Sequence, residues 1–203
     1  MIPPLRDMLS STQNLYQKLL DMYDRLEPLM KEMPASIGKH HSEVGGYYRH
    51  VQEVVYYALK IREMMAKDKS PNVPSEYDII LVAFIHDLDK LERYKRNDGN
   101  FVIINPNPKL RNDQKTKWFK PPFMYNTELP VFESSAYVAN QCAPFGIRLT
   151  NDHLHALAMH HGGWSEYASR ARNGISPMAT ILHSADLLSA FIRGDLEDNT
   201  SKA

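Results

Sequence analysis

Apolar residues in this chain recur mostly at helical spacing, and the breaks between those runs are rich in Pro, Gly and Asn. Over residues 10–33, Leu15, Leu19, Tyr23, Leu26 and Met30 fall on one helical face, with Ser10 or Ser11 placed to cap the start. Residues 34–46 hold Pro34, Gly38, Gly45 and Gly46 and read as a loop. Further helices are predicted over 47–67, from a Ser75 cap through "SEYDIILVAFIHDLDKLERY", and over 130–143, 150–161 and 175–194. Residues 95–130 lack this period and are rich in Asn, Pro and Lys; "DGN" beside "FVII" signals a β-hairpin turn there. The pattern therefore predicts an all-α bundle with a small β-hairpin insertion.

Length adds the domain count. A chain of 203 residues is read as one domain that buries a sizeable core, with residues 1–38 as an N-terminal helical extension and 95–130 as an insertion or lid. Apolar residues make up 43% and charged residues 24%, ordinary for a globular protein. Lys plus Arg equals Asp plus Glu at 24 each, so no global charge draws the chain to nucleic acid or membrane. Cys142 is the sole cysteine, which excludes an intramolecular disulfide and a cysteine-based zinc site. The start resembles no signal peptide and no apolar run reaches the ~18 residues of a membrane span. A cytoplasmic protein without a membrane partner is expected, in an oligomeric state that the sequence leaves open.

Candidate chemistry lies in the nine histidines, most of which cluster with aspartates. His86 and Asp87 close an apolar run, and adjacent helical residues point about 100° apart, so both reach one ion only from a helix end. His50, the His160–His161 pair and Asp186 in "ILHSADLLSAF" are the further candidates. Each has an ordinary reading as well. His50 alone suits a half-buried helix, Asp87 could orient the His86 ring, and cations are favoured at a helix C-terminus such as 160–161. Asp186 on an apolar helix needs a partner if buried, and His183 one turn earlier is a candidate. Imidazole and carboxylate together suit Mn, Fe, Co, Ni, Zn or Mg.

The order His, His-Asp, late Asp resembles the HD-domain superfamily of metal-dependent phosphohydrolases. "KHHSEVGGYYRH" resembles a double histidine, Gly-Gly and first metal histidine; "HDLDK" matches an HD-x-x-K form; "MHHGGW" and "SPMATILHSADLL" resemble the later segments. The pattern is most similar to the HD domains of bacterial 3′–5′ exoribonucleases and conjugative relaxase-associated proteins, over roughly residues 39–92 and 150–190. The resemblance implies His50, His86, Asp87 and Asp186 as metal ligands, His160 and His161 serving a second ion, and Lys90 near a phosphate. Some bimetallic members place another histidine on the intervening helix; "PVFESSAYVA" has none, and Glu133 is the only substitute there. One or two divalent ions are expected.

The implied activity is metal-dependent hydrolysis of a phosphoester in a nucleotide or small phosphorylated substrate. Asp87 would orient water as well as hold metal. Asp89 is a candidate general base or a salt-bridge partner of Lys90 or Arg93, and Arg49, Arg93 and Trp164 are candidate substrate contacts. Trp118, Phe119 and Phe123 among lysines could stack a base, or pack on the body. The chain has no room for the separate nucleic-acid-binding domain of the exoribonucleases, so a long nucleic acid is the less favoured partner. The alternative is a non-catalytic HD-fold module that binds nucleotide or nucleic acid.

Overall fold

The computed structural model describes residues 2–10, 14–37, 39–97, 102–103, 118–119, 122–130, 133–162, 165 and 174–193. It is predominantly helical with small antiparallel strand pairs. The elements are α1 (Leu5–Leu9), α2 (Asn14–Met30), α3 (Gly46–Lys67), α4 (Glu76–Ile85), α5 (Lys90–Arg93), β1 (Tyr94–Arg96), β2 (Val102–Ile103), β3 (Trp118–Phe119), β4 (Phe123–Tyr125), α6 (Ser134–Cys142), α7 (Asn151–Met159) and α8 (Pro177–Leu187). A 3₁₀ turn, Ala143–Phe145, follows α6, and a π-helical stretch, Leu188–Arg193, continues α8. No helix of the described residues is long and apolar enough to cross a membrane.

Helix α4 is the centre of the bundle. Residues 79–85 are all buried, and α2, α3, α7 and α8 pack around them. A helix apolar on every side has no solvent face, so it settles in the middle. Each large apolar side chain buried there contributes about 1.5–3 kcal/mol relative to exposure. Ser75 accepts from the Asp78 backbone N–H at 3.1 Å and fixes where α4 begins. Thr150 and His153 form a reciprocal capping box on α7, and Ser176 caps α8 with Pro177 next to it.

The predicted 10–33 helix is α2 alone, and a short separate helix, α1, precedes it, with Ser10 at the C-terminal end of α1 rather than capping α2. Two further predicted helices end or change winding early. The helix from Ser75 stops at Ile85, because the backbone tightens to i→i+3 bonds: Leu88 N–H to the Ile85 carbonyl at 3.2 Å, Lys90 to Asp87 at 2.9 Å, Leu91 to Leu88 at 3.2 Å. The last helix widens into the π-helix at Leu188.

The strands also differ in pairing from the simple hairpin. β1 pairs with β4 (Tyr94 opposite Tyr125) and β2 with β3 (Val102 opposite Phe119). The strands on either side of "DGN" therefore do not pair with each other; β1 finds its partner at 123–125 instead. The predicted turn itself (98–100) and Trp164 lie outside the described residues.

The loop before α3 is tightly built. His41 takes a left-handed conformation, φ +49°, and its carbonyl accepts from the Ala35 N–H at 2.9 Å. A Cβ on Gly46 would lie 2.1 Å from that carbonyl oxygen. Gly46→Ala is therefore expected to destabilise the protein by about 1–3 kcal/mol through overpacking, and thermal unfolding should show a melting temperature lower by about 2–4 °C per kcal/mol. An unchanged melting temperature would mean that the loop has room to move.

Candidate metal centre

Four separate segments send imidazoles and carboxylates to one point at the end of α4. His86 sits just past the last residue of α4, and its Nδ1 donates to the Ala83 carbonyl at 2.8 Å. That bond orients the ring and leaves Nε2 facing inward, 3.3 Å from His50 Nε2 and 3.2 Å from Asp87 Oδ2. The tightened turn is what lets the adjacent residues 86 and 87 reach the same place. His50, on α3, lies 3.4 Å from Asp87 Oδ2 and 3.3 Å from Asp186 Oδ1 of α8. His86 Nε2 is 3.9 Å from the same Asp186 oxygen.

His160 repeats the His86 device at the end of α7. Its Nδ1 donates to the Leu157 carbonyl at 2.5 Å, three residues back, and its Nε2 lies 3.7 Å from Asp87 Oδ1. That Nε2 is buried and has no hydrogen-bond partner. His161 stands beside it, ring centroids 3.8 Å apart, half-exposed, with Nδ1 3.9 Å from Asp186 Oδ2. His183 locks this turn: its Nδ1 donates to the His160 carbonyl at 2.7 Å, and its ring lies where a Cβ on Gly162 (φ +58°) would intrude to 2.4 Å. His183 thus serves the His160 turn rather than pairing with Asp186.

The donors can hold a divalent ion. His50, His86 and Asp87 each offer a ligand atom within 4.8 Å of the others, as do Asp87, His160 and His161. Ligand atoms about 2.0–2.2 Å from a tetrahedral ion lie about 3.3 Å from one another. The separations of 3.2–3.4 Å among His50, His86 and Asp87 meet that spacing, as does the 3.3 Å from His50 to Asp186, while His86 to Asp186 is longer at 3.9 Å. With Nδ1 donating to the Leu157 carbonyl, the buried His160 Nε2, without a hydrogen-bond partner among the described residues, has a lone pair that an ion near Asp87 would satisfy. Borderline nitrogen and hard oxygen donors do not choose among the first-row metals and magnesium.

Charges in the cluster compensate one another. Burial opposes ionisation of Asp87, yet the Lys90 ammonium, His86, His160 and His50 hold its carboxyl well below the usual range. Burial likewise opposes ionised Asp186, and His50 and His86 hold it down. Burial pushes the His50 imidazole the other way, but Asp186 and Asp87 outweigh it and raise its pKa. Lys90 Nζ is 2.5 Å from Asp87 Oδ2, and that carboxylate keeps the amine protonated against burial.

Other predicted residues lie elsewhere. Asp89 is buried with its carboxylate taken by the Arg93 guanidinium and, at 2.9 Å, by the Ser134 hydroxyl. Arg93 therefore serves as a brace at the foot of the strand pair, and neither residue lines the cleft beside the cluster. Arg49 pairs with Glu43 on the loop before α3; next to His50 in sequence, it points about 100° away around the helix. Glu133 caps α6, accepting from the Ser135 and Ala136 N–H groups at 3.1 and 2.7 Å, which explains why it supplies no ligand. Sequence reasoning left out Glu53, Ser189, His40 and His41, which surround His50. Only the double histidine carried a signal; Glu53 and Ser189 read as ordinary polar positions.

A cleft of about 650 Å³ opens onto the cluster, with Asp186, His161, His40 and Lys90 on its polar side and the exposed rings of Tyr125 and Phe191 at its rim. Burial, followed by the charges of His50 and Lys90, lowers the His40 pKa to about 3, so its ring is neutral there.

A family model described as "Putative helicase" matches residues 6–76. No curated protein and no solved structure gives a significant match. The matched segment runs from α1 to the first residue of α4. It contains one donor of the cluster, His50, and stops short of His86, Asp87, His160, His161 and Asp186.

Metal binding should release a proton. The His50 pKa is raised above its ordinary value of about 6.5, and a ligating nitrogen must be unprotonated. Affinity for Zn²⁺ or Mn²⁺ should therefore climb as pH rises through that raised value, and calorimetry in two buffers of different ionisation enthalpy should read proton release of up to about one per ion. In the metal-free protein the sign is opposite. The stabilisation from charged His50 is full below about 6.5 and fades as pH rises through the raised pKa, so thermal stability without metal should fall on that side.

Proposed function

We propose that the chain is a divalent-metal-dependent phosphohydrolase acting on a phosphoester of a nucleotide or a small phosphorylated substrate, similar to HD-domain enzymes. The observation that carries this reading is one cleft lined by Lys90 and Asp186, with Lys90 bonded to Asp87, and Asp186 beside His50, in the buried cluster directly behind it. His50, His86, Asp87 and Asp186 would hold the ion, with His160 and His161 beside Asp87 available to a second. When bound, a divalent ion supplies Lewis acidity toward a phosphoryl oxygen and makes water a stronger nucleophile at neutral pH.

The chain's own groups do the rest. Lys90 offsets charge gathering on the phosphoryl oxygens. Asp87, hydrogen-bonded to Lys90, keeps that ammonium at the cleft floor. In the reaction a new P–O bond forms from water, the ester P–O bond breaks, and the departing alkoxide leaves as the alcohol. The half-exposed His161 lines the cleft, and burial with His160 beside it lowers its pKa to about 4, so its ring is neutral there. Arg49 and Arg93, each paired with a neighbouring carboxylate, lie outside the lining of the cleft.

A hydrolysis screen of nucleotides, cyclic dinucleotides and short oligonucleotides with Mn²⁺, Mg²⁺, Co²⁺ and Ni²⁺ tests the activity. Lys90→Met, which keeps the apolar stem, should retain metal and lose about tenfold to a thousandfold in rate on the substrate found. Retention of metal with no turnover of any substrate would instead favour a non-catalytic module that binds nucleotides or nucleic acid.

A further inference from the structure

The His50 ring is held at both nitrogens by one element. Asp186 faces Nε2 at 3.3 Å, and Ser189, three residues on, meets Nδ1 at 2.9 Å. The two residues lie on either side of the junction where α8 widens into the π-helix. That change of winding carries Ser189 to the far side of the ring. Ser189 is fully buried, and its hydroxyl hydrogen goes to Glu53 Oε2 at 2.9 Å. Glu53 is itself buried one turn beyond His50 on α3, and the same Oε2 lies 3.3 Å from Nε2 of His41, the residue held in the left-handed conformation.

These bonds have only one consistent direction. A hydroxyl carries a single hydrogen, and a carboxylate oxygen accepts only. With its hydrogen committed to Glu53, Ser189 must accept from His50, so Nδ1 carries a proton and Nε2 is the nitrogen left to face the cluster and to bind an ion once it gives up its own proton. We propose that Ser189 and Glu53, backed by His41, are positioning residues that lock His50 into the one tautomer able to bind a metal through Nε2. The inference rests on the metal-dependent reading given above. The arrangement has a physical parallel in His86 and His160, whose Nδ1 atoms are held by carbonyls three residues back. His50 lies in the middle of a helix, where the carbonyls behind it are already engaged, so its orienting partner has to come from another element.

The 203-residue chain and its Ser189→Ala and Ser189→Thr variants would be titrated with Zn²⁺ against a chromophoric chelator. Ser189→Ala changes no charge, so a loss cannot come from weaker long-range attraction. Its Zn²⁺ affinity is expected to fall about 10- to 100-fold, and Ser189→Thr, which keeps the hydroxyl, to recover most of it. In the Zn²⁺-loaded protein with ¹⁵N-labelled histidine, His50 should show an Nδ1–H protected from exchange, and Ser189→Ala should lose that protection. Should Ser189→Ala not fold, Ser189→Cys, similar in volume with a weak donor, carries the same comparison. Equal Zn²⁺ affinity in Ser189→Ala, or a loss with His50 Nδ1–H still protected, would overturn the positioning role alone. A wild-type chain that binds neither Zn²⁺ nor Mn²⁺ would overturn the metal-dependent reading together with it.

Discussion

Burying a carboxylate at the end of an apolar helix is the constraint around which this molecule is arranged. Helix α4 is surrounded on all sides, so its C-terminal end lies inside the protein, and His86 and Asp87 are 1% and 2% exposed. Water cannot solvate Asp87 there. Its charge has to be met by protein groups: α3 brings His50 and the turn after α7 brings His160, while α8 adds a second carboxylate, Asp186, beside His50. Lys90 comes from the same chain segment and closes the near side. A second carboxylate beside the first would be unfavourable by itself. The imidazoles between them make the arrangement stable, and a divalent cation is the species that such a set accommodates best.

Two helix ends solve the orientation problem in the same way. An imidazole just past a helix C-terminus finds an unpaired carbonyl three residues back, because the last carbonyls of a helix lack intrahelical partners. His86 and His160 both use it and so present Nε2 inward. The glycine after the double histidine at 160–161 has a matching reason: the His183 ring occupies the space of its missing side chain while gripping the His160 carbonyl. The HHG and L-H-x-A-D segments are therefore parts of one packing unit.

Local charge pairing decided which predicted contacts stay out of the cleft. Arg49, Arg93 and Asp89 were reasonable partners for a phosphate or a water when only their spacing from the histidines was known. Each has a nearer opposite charge, Glu43 for Arg49 and Asp89 for Arg93. An arginine engaged this way braces a loop or strand pair and has no need of substrate. Lys90 differs because it lines the cleft itself while its partner, Asp87, belongs to the buried cluster.

The helical class, the cap at Ser75, and the separate character of residues 95–130 were legible in the sequence, because they depend on short-range periodicity and on side chains bonding their own backbone. The residue types of the cluster were legible too, since histidine and aspartate at helix ends are unusual enough to stand out. Helix endings were not: whether α4 continues past Ile85 depends on the i→i+3 bonds formed when residues 86–89 turn into the interior. Strand pairing was not, because β1 could match β2 across "DGN" or β4 further along, and only packing on the body chooses. Glu53 and Ser189 were invisible as parts of the site. They are 136 residues apart, and nothing in either residue type announces a bond that exists only once α8 widens beside α3. The sequence by itself determined which side chains have the chemistry to hold an ion. Tertiary packing decided which of their nitrogens and oxygens meet, since that depends on helix ends and crossings set by the whole core.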